Sequence, residues 1–282
     1  MLDNRIYTFL ELCSVMNYHK TAENLNMTQP AVTQHIKYFE NLYNCKLFDY
    51  SNKKLQKTQN CLELEKCART MISLNLSLAE SLNHNEKIKI NIGATKTIGD
   101  YILDTSLWHL ICDEKYELNI IIDNTEKLTE RLSHFDLDLL ILEGYVDKEK
   151  YCHQKISDEE IVGICSVSHP FAFKEVSIKE IFEQSAILRE KGSGTRAVFE
   201  QFLLENGYST KSFKQKSVIS SNKLIELSVQ NNCAISFVYS IIPSKNKNLA
   251  TFKIKDNKIF HEFNYVFLND KKAKEIINLI EN

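Results

Sequence analysis

Gln29, Thr33, Gln34 and Lys37 fall at helical spacing on one polar face, opposite the apolar series Val32, Ile36, Phe39 and Tyr43. A glutamine amide can bridge adenine with two hydrogen bonds, a threonine methyl can meet that of thymine, and a lysine can reach guanine or phosphate. The same residues also suit an ordinary solvated helix face, so the chemistry depends on what holds the helix. Thr28 precedes it as an N-cap, and Pro30 falls in the first turn, where a missing N–H costs nothing. Thr28 and Pro30 are therefore grouped with the candidate DNA-contacting residues. Lys53 and Lys54 lie at the polar tip of LFDYSNKKLQKT (47–58), where two ammonium groups can hold a flanking phosphate backbone. His35, beside Ile36, can either touch DNA or flank the core.

A second group of residues offers anion chemistry. Gly192, Ser193, Gly194 and Thr195 stand directly before a helical stretch that begins with Arg196, and Ala94, Thr95, Lys96 and Thr97 follow a strand-like run. Consecutive backbone N–H groups at a helix start, with hydroxyls beside them, can cradle an anion. Plain helix capping accounts for Ser193 and Thr195 equally well. Arg196 can pair with an anion or with a protein carboxylate. Gly93, Gly99, Gly144, Gly192 and Gly194, five of only seven glycines, are expected in three loops after strands.

Catalytic readings find less support. GSGTRA lacks the third glycine of a dinucleotide fingerprint, and GATKTIG lacks the G-K-[ST] ending of a phosphate-binding loop. His134, Asp136 and Asp138 have no accompanying nucleophile or metal spacing. The eight cysteines contain no C-x-x-C pair, which favours reduced thiols over a disulfide framework or zinc site. The expectation is no catalytic residue, no metal and no cofactor. Net charge is −2, so composition alone makes no case for nucleic acid. Residues 1–60 nevertheless hold seven Lys/Arg against five Asp/Glu. No secretory segment or membrane-length apolar run is visible, and a cytoplasmic location is expected.

The elements that must position these groups follow from periodicity. Ile6, Phe9, Leu10 and Cys13 predict a first amphipathic helix over 4–16. Ala22 and Leu25 are the expected buried residues of a short second helix, 20–25, and Asn26-Met27 a tight turn before the third. Three helices followed by a basic hairpin form a winged helix-turn-helix. Residues 31–92 contain neither Pro nor Gly, so one helix can run from about 58 to 82, with Leu64, Met71 and Leu78 seven apart and Cys67 and Leu74 between them. Beyond residue 87, strand-like runs at 88–92, 118–122, 137–142, 161–167, 186–188, 234–237 and 263–268 alternate with helical stretches at 98–112, 125–133, 195–206, 222–231 and 270–281. That alternation predicts an α/β domain with mainly parallel sheets.

Phe9, the stretch TAENLNMTQPAVTQHIKYFE (21–40) and the wing resemble the LysR-type transcriptional regulators. The resemblance continues through the long helix, GATKTIGDYIL (93–103), DLDLLILEG (136–144) and REKGSGTR (189–196). Tyr50, Gln34 and Asn60-Cys61 depart from the family pattern, which usually has Arg at the first, often Arg at the second and Ala-Gly at the third. The resemblance implies an α+β multidomain protein: an N-terminal winged helix-turn-helix, a dimerising linker helix, and a periplasmic-binding-protein-like effector domain of two subdomains. The expected boundaries are 1–58, 59–84 and 87–282, with subdomain I about 87–160 and 258–282 and subdomain II about 161–257. It also implies that two loops face each other across a cleft, making Thr95, Lys96, Thr97, Gly144, Ser193, Gly194, Thr195 and Arg196 the candidate effector-binding residues. The expected partners are double-stranded promoter DNA, a small anionic effector and further copies of the chain, as a homodimer or homotetramer, with no membrane. A solute-binding protein or enzyme carrying an unrelated helical N-terminus is the alternative.

Overall fold

The computed structural model describes residues 3–51, 54–82, 87–103, 107–268 and 270–281. The chain forms two compact units: Met1–Glu86 with Asp147–Cys152 and Leu268–Ala273, and Lys87–Val146 with His153–Phe267 and Lys274–Asn282.

In the first unit, α1 (Arg5–Val15) buries Phe9, Leu10, Leu12 and Cys13. It stops at Met16, left-handed at φ 53°, whose N–H reaches back to Leu12 O. Ile6 is only half-buried, because Thr8 and Leu12 take the inward positions. Asn17 caps α2 (Tyr18–Asn24) by accepting from Lys20 N, and Asn26 makes the expected turn at φ 52°. Leu25, at the C-cap of α2, is half-buried rather than buried. Thr28 accepts from Ala31 N and starts α3 (Gln29–Leu42), which buries Val32, Ile36 and Phe39. Tyr43 lies past the last turn and is 52% exposed, so the buried series ends one residue type earlier than its spacing predicts. Phe9 packs its ring against Phe39 at 5.9 Å and Phe48 at 6.1 Å, tying the helices to the hairpin. That hairpin is β1 (Phe48–Ser51) and β2 (Lys54–Lys57), paired from Phe48↔Lys57 to Ser51↔Lys54.

The unbroken helix α4 (Gln59–Leu82) has two distinct faces. One buries Cys61, Glu65, Ala68, Arg69 and Ile72 at helical spacing. Cys61 Sγ lies 3.7 Å from Cys13 Sγ, so the residue that replaces glycine in the family pattern is core packing. Glu65 accepts from Lys57 Nζ at 2.6 Å and from Arg69 at 2.8 Å, which fixes the second wing strand to this helix. The other face leaves Met71, Leu74 and Leu78 exposed at 48, 47 and 56%.

The second unit is a two-lobed α/β domain. Its elements in chain order are β3 (Ile88–Thr95), α5 (Lys96–Tyr101), α6 (Trp108–Cys112), β4 (Tyr116–Asp123), α7 (Thr125–Ser133), β5 (Leu139–Glu143), β6 (Cys152–Ser166), β7 (Glu175–Val176), α8 (Ile178–Phe182), β8 (Ser185–Leu188) and α9 (Gly194–Glu205). After a short 3-10 turn follow β9 (Gln215–Val218), α10 (Asn222–Gln230), β10 (Ile235–Tyr239), α11 (Ile241–Ser244), β11 (Leu249–Ile254), β12 (Ile259–Phe267) and α12 (Asp270–Glu281). One sheet runs β4-β3-β5-β12-β6-β10-β8-β9, with β11 and β7 attached beside β6. Pairing is parallel for β3 with β4 and β5, and for β8 with β9 and β10. It is antiparallel where β12 meets β5 and where β6 meets β10 and β11. The sheet is therefore mixed rather than mainly parallel, because β6 and β12 carry the chain between the lobes.

Two other expectations change. The single helical stretch 98–112 is two helices, α5 and α6, with 104–106 outside the described residues. Gly93 lies within β3 and Gly99 within α5, so only Gly144, after β5, and Gly192 and Gly194, between β8 and α9, stand where a strand gives way. The second lobe has a core of Ile164, Ile187, Ile225, Val229 and Val238, against which Tyr101 of the first lobe packs.

Candidate DNA-reading helix and effector cleft

On α3, Gln29, Gln34 and Lys37 are exposed and Thr33 is half-exposed, all on the face away from the buried stripe. Thr33 Oγ1 donates to Gln29 O at 3.0 Å, which leaves its methyl as the outward group. Thr28 and Pro30 are exposed at the start of the same helix, and Lys54 is exposed on β2. Lys53 lies outside the described residues. His35 Nδ1 is 2.9 Å from Thr8 Oγ1, so this ring turns toward α1 and flanks the core.

In the second unit, Thr95, Gly144, Gly194 and Thr195 converge on Glu143, the last residue of β5. Glu143 is 1% exposed and accepts from Thr95 Oγ1 and, at 3.5 Å, from Thr195 Oγ1. Burial pushes its carboxyl up to about 7, against the opposing pull of the Arg189 guanidinium and the nearby threonine hydroxyls. The two loops touch. A side chain at Gly194 would collide with the Glu143 carbonyl oxygen, and a Cβ at Gly144 (φ +108°) would stand 2.8 Å from Gly194 Cα. Glycine is needed at both places by contact, and at Gly144 also by backbone conformation.

Ser193 sits at the N-cap of α9 without a side-chain capping bond, and its buried hydroxyl has no partner among the described residues. The Thr97 hydroxyl, close enough to Glu143 to favour its charge, likewise makes no well-formed hydrogen bond. Lys96 Nζ pairs with Glu190 at 3.0 Å and donates to Ser220 O at 3.1 Å. Arg196 pairs with Glu200 at 2.8 Å and donates to Arg189 O. The three threonine hydroxyls thus meet at one carboxylate, beside the Gly144–Gly194 contact, while the two cations spend their charge on other carboxylates.

Beside this junction, a polar groove of about 930 Å³ is lined by Lys96, Asp100 and Tyr101 of one lobe and Asn222, Lys223 and Lys245 of the other. Arg189 NH1 donates to Asn222 Oδ1 at 2.8 Å, and Arg189 Nε bonds Glu190 at 2.9 Å. Arg189, Asn222 and Asp100 carry no local signal in the sequence that marks them for this groove. Arg189 stands within REKGSGTR, and Ser221-Asn222 opens a helix, but neither spacing announces that they meet. Among the described residues, no group of His, Cys, Asp and Glu is placed to hold a metal, and no helix is long and apolar enough to cross a membrane.

A helix-turn-helix with a free polar face, followed by a two-lobed ligand-binding domain, defines a DNA-binding transcription regulator. The comparisons give the family. A model of the LysR substrate binding domain matches residues 86–277, and one of the bacterial regulatory helix-turn-helix protein, lysR family, matches residues 4–61. The HTH-type transcriptional regulator CysL of Bacillus subtilis is 29% identical over 280 residues, 95% of this chain and 93% of its own. A probable RuBisCO transcriptional regulator of Trieres chinensis is 24% identical over 277 residues, 94% and 86% of the two chains. Among solved structures, a full-length OxyR variant from Pseudomonas aeruginosa matches with a TM-score of 0.59 at 16% identity, covering 99% of this chain and 93% of its own. Full-length BenM matches at 0.59 and 15%, covering 100% and 96%. The chain belongs to the LysR family, whose members are transcription regulators and not enzymes.

Proposed function

We propose that this protein reads a specific promoter sequence through α3, acts in the cytoplasm as a homodimer or homotetramer, and changes its DNA binding when a small anionic effector enters the cleft. The observation that carries the DNA reading is the outward set Gln29, Thr33, Gln34 and Lys37 on a helix whose opposite face is buried. Replacing Gln29 or Gln34 with Ala is expected to relax sequence preference, each good base contact being worth about 1–3 kcal/mol. Lys54→Ala is expected to weaken binding to every sequence and flatten its salt dependence. Binding curves on a randomised operator library at several salt concentrations separate the two effects. Unchanged preference in both glutamine variants would remove α3 from base reading, and DNA retention insensitive to salt would favour a ligand-binding protein that does not act on DNA.

The assembly reading is supported by Met71, Leu74 and Leu78, a wet apolar stripe opposite the face of α4 that packs in its own unit. Met71→Glu with Leu78→Glu places like charges in that seam and is expected to yield monomers by light scattering. A wild type that is already monomeric at micromolar concentration would end this reading.

For the effector, regulatory domains of similar fold have been solved with bound small molecules, CcmR from Synechocystis with 2-PG and QuiR with shikimate. The support within this chain is the pair of helix starts at Thr95–Thr97 and Ser193–Thr195, where the buried Thr97 and Ser193 hydroxyls have no hydrogen-bond partner among the described residues. The division into 1–58, 59–84 and 87–282 follows the same reading. An effector shifts the DNA-binding arrangement only to the extent that it binds one state of the cleft more tightly than another.

A further inference from the structure

We propose that Cys13 and Cys61 form an oxidisable dithiol, which a hydroperoxide converts to a disulfide that encloses the DNA-reading elements in one covalent loop. The proposal lies outside the effector cleft and does not depend on what enters it.

The two sulfurs are already in contact. Cys13 Sγ on α1 lies 3.7 Å from Cys61 Sγ on α4, within reach of a thiol hydrogen bond. Both residues are buried, at 2% and 0% exposure. A disulfide has an S–S length of about 2.05 Å, so the sulfurs must close by about 1.7 Å. The backbones that carry them are fixed from both sides. Phe9 anchors α1 against Phe39 and Phe48, while Thr58 Oγ1 accepts from Cys61 N at 3.1 Å and donates to Lys46 O at 2.8 Å. Among the described residues no other two cysteines meet, and Cys67, Cys112 and Cys233 stand exposed.

Local charge sets the order of the chemistry. Burial pushes the Cys13 thiol well above the ordinary thiol range; Glu65 adds to this and Lys57 opposes it. Cys61 is in the first turn of α4, at the positive end of a 24-residue helix. Cys61 is therefore placed to attack first, as a thiolate. Its sulfur bonds to one oxygen of hydrogen peroxide, the O–O bond breaks, and the other oxygen leaves as water with the proton from Cys61. The Cys13 sulfur then attacks the resulting sulfenic acid, the S–O bond breaks, and the hydroxyl leaves as a second water with the proton from Cys13. Two thiols are oxidised and one peroxide is reduced to two waters. Because both sulfurs are covered, the oxidant enters only when α1 and α4 part locally, so the rate follows the opening of that joint.

The consequence lies in what the bond surrounds. Residues between Cys13 and Cys61 include α2, α3, β1 and β2, the whole reading element. Closing a loop of that length restricts the unfolded chain strongly. Oxidation thus holds the reading head folded without adding a group to its DNA-facing surface.

The test exposes the full-length wild type to millimolar hydrogen peroxide, then alkylates it and maps its peptides without reductant. A linked pair of peptides containing Cys13 and Cys61, lighter by two hydrogens and separated by dithiothreitol, is expected. Cys13→Ser and Cys61→Ala should each abolish it; mapping of the wild type stands even if a variant fails to fold. Amide hydrogen exchange in α2 and α3 is expected to slow about tenfold in the oxidised protein relative to the reduced one. A pair still reduced after Cys67, Cys112 and Cys233 have oxidised overturns the proposal, as does a sulfinic acid at Cys61 with Cys13 unlinked. A link that forms only in urea, or one that leaves exchange in α2 and α3 unchanged, also overturns it and returns the pair to core packing.

Discussion

At pH 8, Glu143→Gln is expected to make the effector domain roughly 3 kcal/mol more stable than the wild type, with most of that gain absent at pH 5. The Glu143 carboxyl titrates near 7 in the folded protein against an ordinary 4.5, because burial disfavours its charge. Between those two values the native state keeps a proton that the unfolded chain has released. Stability therefore falls as pH rises through that window, by up to about 1.4 kcal/mol per pH unit, and the loss is complete above the folded value. Glutamine has nearly the same shape, can accept from one threonine hydroxyl and donate its NH2 to the other, and carries no charge to desolvate. Denaturant unfolding at pH 5 and pH 8 measures the difference, with the chain's single tryptophan, Trp108, reporting from the second unit. Parallel pH profiles for variant and wild type would show that Glu143 carries no such burden.

Glu65→Gln is expected to act in the opposite sense and to cost the first unit about 3–5 kcal/mol at pH 7. Glu65 is 3% exposed and lies between the Lys57 ammonium and the Arg69 guanidinium. Burial alone would push its carboxyl up, but hydrogen bonds and charge from those two cations more than reverse this and hold it below the usual range. Its contribution is present above the ordinary carboxylate pKa and is lost as pH falls through the depressed one. Removing the charge leaves two cations together, one of them at 2% exposure. A Glu65→Leu, Arg69→Met double variant should recover most of the loss, since a buried pair replaced by apolar groups of similar size is often near neutral. Thermal melts followed by helical circular dichroism suffice, and a loss under about 1 kcal/mol for Glu65→Gln would refute the coupling.

Much of the first unit was legible because its signals are local. Thr28, Pro30 and the Val32–Ile36–Phe39 spacing set α3, and a stretch free of Pro and Gly gave α4 its length. The second unit was less so where structure depends on distant pairing. β9 is exposed at all four residues and has no periodic pattern to find, while β11 is defined by its partner β6. The capping box Ser177–Glu180 of α8 was a local signal that periodicity alone passed over. Glycines near 93 and 99 looked like loop markers but relieve crowding inside β3 and α5, against Leu137 and Ile122. The candidate cleft shows the same limit. Hydroxyls at 95, 97, 193 and 195 were readable, but Glu143, the common neighbour of Thr95, Thr97 and Thr195, and the Arg189–Asn222 bond join residues far apart in sequence. Charge on Lys96 and Arg196 looked available because Glu190 and Glu200 cannot be assigned as partners without a fold.

The pairing of β12 with β5 also governs the order in which the molecule can be made. Phe263 lies opposite Glu143, with the whole second lobe between them in the chain. A growing polypeptide emerging from the ribosome can close the three helices and the β1–β2 hairpin early, since the contacts that join them lie near one another in the chain. The first lobe must wait for β12, the last strand, before β5 gains a second neighbour beside β3. During that interval the edge of β5 is an open template for foreign strands, and closing so long a loop is slow. A message truncated ahead of residue 259 would thus produce a chain with a folded DNA-reading head and an incomplete ligand domain.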